Sequence, residues 1–508
     1  MSDTIDCVLG LDIGTTSTIG ILIALPDRVL AKTSRPVTLS SPKVGWAEEN
    51  PEDWWTNVSE IIPELLEQSG VQPEAIKAIG ITGMLPALVI LDQNDAVIRP
   101  AIQQSDGRCG AQVTEIASEI NEAKFTQTAG NGINQQLIAA KLRWLEQHEP
   151  DNFKRIYTVF GSYDFINWKL TGQKAIEQNW ALEAGFVDLA NHELSDDLIA
   201  LAHCSRACIP EKIRSEKILG HVTRSAMQAT GLSIGTPVVG GAADHIASGL
   251  AAGVTQPGDM LLKFGGSIDV LIATRTASPD PRMFLDYHLI PDMFMPNGCM
   301  ASGGSSLNWF ADKFAGGELP AARKAGLTLH QHLDTIAATT PAGADGVQII
   351  PYFLGEKTPI HDTDARGIIH GLSLNHDLRH VWRAMLEGYA YALRHHVEVF
   401  AEMGHPARRV LASDGGANSQ FWMQICADVL QKPVQLLVGH PGSCLAAAWV
   451  AAMGVGLSKD WAGINRYVTY GELLQPRPET AGLYDKGYHL FRETYTAHRA
   501  ARQAMDEY

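Results

Sequence analysis

Asp244 stands in the middle of "VVGGAADHIASGLAAGV" (238–254), a run of small and apolar residues otherwise suited to burial. An ionised carboxylate buried without partners is costly, so an acid in this setting is expected to line a cleft or take part in chemistry. A general base is one such task, and Gly240, Gly241, Ala242 and Ala243 leave room for a reactant to come close. Asp244 also reads as the cap of a helix over "HIASGLAAG", and both readings can hold together. His245 is a candidate contact for a small polar substrate or an ordinary structural histidine.

Three glycine-rich turns add a second kind of chemistry. In "DIGTTS" an apolar strand delivers Asp12 to a turn where Gly14 lets a ligand approach the backbone and Thr15, Thr16 and Ser17 supply hydroxyl and N–H donors. Such a turn can hold phosphate, and Asp12 suits a hydrated Mg2+; an ordinary hairpin turn has the same composition. "MLLKFGGSIDVLIAT" (260–274) repeats the plan with Gly265, Gly266 and Ser267 at its tip. In "VLASDGGANSQFWMQICADVLQKPV" (410–434) Gly415, Gly416 and Asn418 fit an adenosine segment or a tight strand-to-helix turn, ahead of a helix with Phe421, Ile425 and Val429 on one face. Neither GxxxxGK[ST] nor GxGxxG occurs, so P-loop and Rossmann readings have no support.

The elements that must carry these turns read as α/β. "CVLGLDIG", "AIGITG", "ALVILD" and "PVVGGA" look like buried strands. "PEDWWTNVSEIIPELLEQSG" repeats Trp54, Val58, Ile61, Ile62 and Leu65 at helical spacing and stops at Gly70. The chain has 508 residues, enough for two or three domains, and "VTQPGD" marks a division. Two similar hairpins half a chain apart suggest a duplicated core with a nucleotide cleft between the copies. A net charge of −16 argues against nucleic-acid or anionic-membrane partners. The start "MSDTIDCV" is acidic, unlike a secretory signal, and Cys444–Leu457 falls short of the roughly 20 residues that span a bilayer. Seven scattered cysteines without a CxxC pair fit a reduced, cytoplasmic setting.

The motifs "LDIGTTS", "GWAEENPEDWW", "RPAIQQSDGR", "KLRWLEQHEP", "GGAADHIASGLAAG", "GEKTPIHDTDARGIIHGLSLNHDLRHVWRAMLEG" and "SDGGANSQFWMQICADVLQKPV" occur in the order seen in the FGGY carbohydrate kinases. The chain resembles the xylulokinase branch most, from Val8 to about Gly456. The resemblance implies two actin-like (ribonuclease H-like) domains closing on ATP and a sugar or polyol. Their expected bounds are 1–247 and 256–456, followed by a helical extension over 457–508. It implies Asp12 near magnesium and phosphates, and Thr15 and Thr16 in the first phosphate loop. Gly265, Gly266 and Ser267 fall in the second loop, and Gly415, Gly416 and Asn418 on the adenosine segment. Asp244 matches the catalytic base and, with Asp12, is a carboxylate expected near the metal. Met84, Leu85, Pro86, Gln104, Asp106 and His245 fall at the sugar.

Departures from xylulokinases gather where the sugar is read. Leu85-Pro86 replaces Met-His, Gln104 replaces a tryptophan, and Lys357 in "GEKTP" replaces an arginine. A stacking wall and an imidazole are lost together. The expected activity is ATP- and magnesium-dependent phosphorylation of a primary hydroxyl of a ketose or polyol, a pentulose first, with a tetrulose or ribulose-type sugar as alternatives. The expected partner is that small molecule, with a homodimer possible. An actin-like or chaperone-like ATPase and a non-catalytic sugar sensor are the readings from other classes.

Overall fold

The computed structural model describes residues 6–506, so the first five residues of the acidic start lie outside it. The chain forms two compact units. One takes residues up to Thr255 with Arg275–Met295 and Pro441–Val468; the other takes Gln256–Thr274, Pro296–His440 and the chain from Thr469 on. No helix among the described residues is long and apolar enough to cross a membrane, and none of the seven cysteines is in a disulfide among the described residues.

The first unit is built on a mixed sheet. Its strands are β1 (Cys7–Ile13), β2 (Ser17–Ala24), β3 (Arg28–Pro36), β4 (Ile76–Gly83), β5 (Ile218–His221), β6 (Pro237–Val239) and β7 (Ala242–Ala243). Their order is β5-β6-β4-β1-β2-β3, with β7 also on β4. β1 and β2 form the expected hairpin, and β1 runs parallel to β4. The helix Pro51–Ser69 matches its sequence pattern closely. Asn50 accepts the Glu52 N–H at its start, Trp54, Val58, Ile61, Ile62 and Leu65 are buried, and Gly70 ends it with φ 66°.

The helix Ser443–Gly454 is apolar all round, and Ser443 through Ala452 are buried. A helix with no polar face belongs inside a structure. It packs against β1 and β4 where two glycines meet in register, Gly10 beside Gly80. A Cβ at Gly10 would lie 2.0 Å from the Cys444 carbonyl oxygen, and one at Gly80 2.0 Å from that of Ala447. The two glycines therefore allow a helix backbone to rest directly on the strands.

The second unit repeats the hairpin. Its strands β8 (Asp259–Phe264), β9 (Ile268–Ile272), β10 (Phe294–Met300), β11 (Arg409–Ser413), β12 (Val434–Leu437) and β13 (Tyr470–Leu474) run in the order β10-β9-β8-β11-β12-β13. β8 is antiparallel to β9 and parallel to β11. The helix Leu378–Glu402 buries Ala390, Leu393, Val397 and Phe400. In the helix Gln420–Leu430, Ile425 and Val429 are buried as expected, but Phe421 is only half-buried. Trp422, Met423 and Cys426 fill the core instead, and the Arg383 guanidinium stacks over Phe421 at 5.4 Å.

Candidate active site

In the first unit Asp12 lies near the end of β1, level with Ile19 on β2 and Thr82 on β4. It is 9% exposed, and its Oδ2 accepts the Ser443 hydroxyl from the start of the buried helix. The Gly14 N–H donates to the Ser17 carbonyl at 3.1 Å, closing the turn, and Thr16 at its tip is exposed. Thr15 Oγ1 lies 3.5 Å from Met84 Sδ. The side-chain polar atoms on this turn are oxygens, which suit a hard cation as ligands, and its hydroxyl O–H groups can donate to a phosphate.

β4 leads into Met84, Leu85 and Pro86, all buried. This stretch is held by its carbonyls: Ser162 Oγ donates to Met84 O at 2.7 Å, Lys141 Nζ to Pro86 O at 2.8 Å and Trp180 Nε1 to Ala87 O at 2.8 Å. Lys141 also donates to Gln103 O at 3.0 Å, so one buried ammonium ties the 84–86 and 103–106 segments together. Burial pulls its pKa down to about 8.

Gln104 is partly exposed, and its side chain makes no hydrogen bond among the described residues. Asp106 is not available in the same way. It is 0% exposed, its Oδ2 accepts the Ala47 N–H at 2.6 Å and Arg108 Nη2 at 2.7 Å, and its Oδ1 accepts Arg108 N–H and Nε. Burial raises its pKa, but the Arg108 guanidinium and these N–H groups outweigh burial and hold it below the usual range. Arg108 in turn lies 3.8 Å from the Trp46 ring and 4.9 Å from Trp144. The structure thus commits Asp106 to building its loop.

Asp244 opens the helix Asp244–Ala251 directly after β7, and Ala243 occupies the cap position. Its carboxylate does not cap the helix as expected. Oδ1 accepts the adjacent His245 N–H at 2.6 Å, and the side chain is 34% exposed. His245 Nδ1 lies 3.4 Å from Asp244 Oδ1, and its Nε2 lies 2.9 Å from Asp286 Oδ2. Burial lowers the His245 pKa, but the bonds to Asp244 and Asp286 prevail and hold it well above the ordinary histidine value. Glu183 joins this group, with ligand atoms of Glu183, His245 and Asp286 within 4.8 Å of one another. Burial, then the Asp286 charge, pushes the Glu183 carboxyl upward.

In the second unit Gly265, Gly266 and Ser267 form the turn between β8 and β9. Gly303 and Ser305 donate backbone N–H groups to Gly266 O, at 2.8 and 3.1 Å, and Gly304 donates to Gly265 O at 3.0 Å. Ser413, at the end of β11, is level with Lys263 on β8, so the Gly415–Asn418 turn lies beside this loop. A Cβ at Gly416 would strike Phe264 and Trp422 at 2.7 and 2.8 Å, whereas Gly415 is open. Asp414 starts that turn at φ 71°, a strained backbone for a residue with a side chain.

Sequence reasoning missed Asp286, Glu183, Lys141 and the Gly303–Ser305 backing. "ASGGSS" did carry a signal, a glycine pair between serines after an apolar strand. Asp286 within "FLDYH" carried only an acid between large apolar residues.

Residues 7–251 match the N-terminal domain, and residues 261–455 the C-terminal domain, of the FGGY family of carbohydrate kinases. The crystal structure of xylulose kinase from Rhodospirillum rubrum superposes with a TM-score of 0.92 at 52% identity, covering 97% of this chain and 98% of that one. A xylulose kinase from Bacillus subtilis is 28% identical over 504 residues, 99% of each chain. A gluconokinase from the same species is 27% identical over 453 residues, 88% of each. Matches over most of its length, joined to the paired hairpins and to Asp244 at a strand end, show that the chain belongs to the FGGY family of carbohydrate kinases and is a phosphotransferase with an alcohol group as acceptor.

Proposed function

We propose that the enzyme transfers the γ-phosphoryl group of ATP to a primary hydroxyl of a ketose or polyol, a pentulose first among them, with Asp244 as general base. The observation that carries this reading is the Asp244 carboxylate. It stands one-third exposed at the end of a strand, with one oxygen engaged by the His245 N–H. Likeness to the Rhodospirillum rubrum xylulose kinase supports the acceptor class.

Phosphoryl transfer asks for positioning, charge neutralisation and a proton acceptor more than for covalent help. Asp244 takes the proton of the attacking hydroxyl. The turns at Gly14–Ser17 and Gly265–Ser267 offer N–H and hydroxyl groups to the phosphates, and Gly415, Gly416 and Asn418 to the adenosine. The oxygen donors around Asp12 fit a magnesium ion that keeps most of its water, which would neutralise charge on the phosphates.

Leu85 and Pro86 offer no hydrogen-bonding side chain to a sugar, so D-xylulose is to be tested against other acceptors. Tetruloses and ribulose-type sugars therefore belong beside pentuloses and polyols in an ADP-release screen. If no member is phosphorylated, the reading fails. Asp244→Asn is expected to keep nucleotide binding and lose about 100-fold in turnover; near-normal turnover removes Asp244 from the role. We also place the reaction in the cytoplasm and take a homodimer as its assembly, which light scattering checks.

A further inference from the structure

The strand Phe284–Tyr287 is gripped along one edge by two asparagine side chains. Asn131 donates its Nδ2–H to Leu285 O at 2.9 Å and accepts Leu285 N–H at 2.8 Å. Asn179 does the same at Tyr287, at 3.1 and 2.7 Å. Both carboxamides are buried, at 6% and 0% exposure. A carboxamide that pairs with both groups of one residue imitates a neighbouring strand, and two of them at alternate residues fix the register. Asp286 lies between the two grips, 0% exposed, with Oδ2 at 2.9 Å from His245 Nε2.

The other ring nitrogen of His245 faces Asp244 Oδ1 at 3.4 Å. Asp244 Oδ1 accepts the His245 backbone N–H at 2.6 Å and lies within ion-pair distance of the ring. Asp244 Oδ2 makes no hydrogen bond among the described residues, which leaves it to receive a proton.

We propose that Asp286 is a positioning residue for phosphoryl transfer: it holds the His245 ring so that Asp244 Oδ1 is engaged and Oδ2 is presented to the acceptor hydroxyl. This rests on the reading of Asp244 as general base. It also gives His245 a task other than touching the sugar, since both ring nitrogens face carboxylates.

Steady-state kinetics of Asp286→Asn, with D-xylulose or whichever panel member turns over fastest, test it. The expected result is a kcat lower by about 10- to 100-fold, with KM for sugar and for ATP within about twofold and the melting temperature little changed. The Asp244→Asn/Asp286→Asn double variant is expected to be no slower than Asp244→Asn alone, because the second change acts only through Asp244. A kcat within twofold of the parent for Asp286→Asn, or a further loss in the double variant, overturns the inference while leaving Asp244 as base if Asp244→Asn is inactive. Near-normal turnover of Asp244→Asn overturns the underlying reading instead. Should Asp286→Asn fail to fold, His245→Gln decides by the same split: a lower kcat at unchanged KM supports the inference, and an unchanged kcat overturns it.

Discussion

The two hairpins share a plan and differ at their bases. Each places an antiparallel pair beside a parallel strand, β1–β2 with β4 and β8–β9 with β11. Two residues before the first glycine of the turn, the first hairpin has Asp12 and the second has Lys263. Asp12 is level with Ile19 across the hairpin, whereas Lys263 is level with Asp269. Two residues earlier still, the first unit has the in-register glycines Gly10 and Gly80, and the second has the leucines Leu261 and Leu411. Glycines let a helix backbone and its Ser443 reach Asp12; leucines fill that layer with side chains. A repeated topology thus carries two different side chains at one position, an acid that accepts a helix-start hydroxyl and a lysine opposite an acid in register.

Making the first hairpin resemble the second gives the largest expected effect. Gly80→Leu drives a side chain into the Ala447 carbonyl and is expected to cost about 3 kcal/mol, read as a lower urea midpoint. Leu261→Ala in the second unit is expected to cost a comparable amount by leaving a cavity. Next, on the reading of Asp12 as the carboxylate that would hold magnesium, Asp12→Asn is expected to slow turnover about 100-fold with the fold retained, since it weakens the hold on the cation that would neutralise the phosphates. An Asp12→Asn enzyme with parental kcat would erase the chemical contrast between the hairpins. Lys263→Met, a change opposite Asp269 in the hairpin register, is expected to change kcat or KM for ATP by no more than about fivefold.

The smallest effect concerns pH. Burial raises the Glu356 pKa from 4.5 to about 8 in the second unit, and that of Glu177 to about 7 in the first. A carboxyl raised in the folded state contributes stability that is present below its ordinary pKa and lost as pH rises through the folded value. Melting temperature is therefore expected to fall between pH 4.5 and 8, and Glu356→Gln to flatten the upper part of that fall. An unchanged slope would mean that Glu356 is ionised in the folded protein.

Legibility from sequence followed the kind of signal available. Pro51–Ser69 was readable because one face is apolar and both ends carry cap residues. Both hairpins were readable because the flanking strands are apolar and the turns rich in glycine. Ser443–Gly454 could be seen as apolar, but nothing local says that a helix so far along the chain lies on β1, since that contact depends on two distant glycines. Asp244 was legible as an acid out of place. Its connection to Asp286 was not, because Asp286 lies 41 residues beyond His245 and meets it only after Asn131 and Asn179 have fixed a strand. The burial of Asp106 was hidden for a similar reason, since Arg108 and Ala47 absorb its charge only in three dimensions.

The anchoring of Met84–Ala87 by carbonyl oxygens has a consequence for how such an enzyme changes its preferences. Ser162, Lys141 and Trp180 set the path of this stretch from outside it, whatever side chains it bears. On the proposed reading of residues 84 to 86 as sugar contacts, their side chains can be exchanged while these three bonds keep holding the main chain, so that a new acceptor can be tried without rebuilding the scaffold.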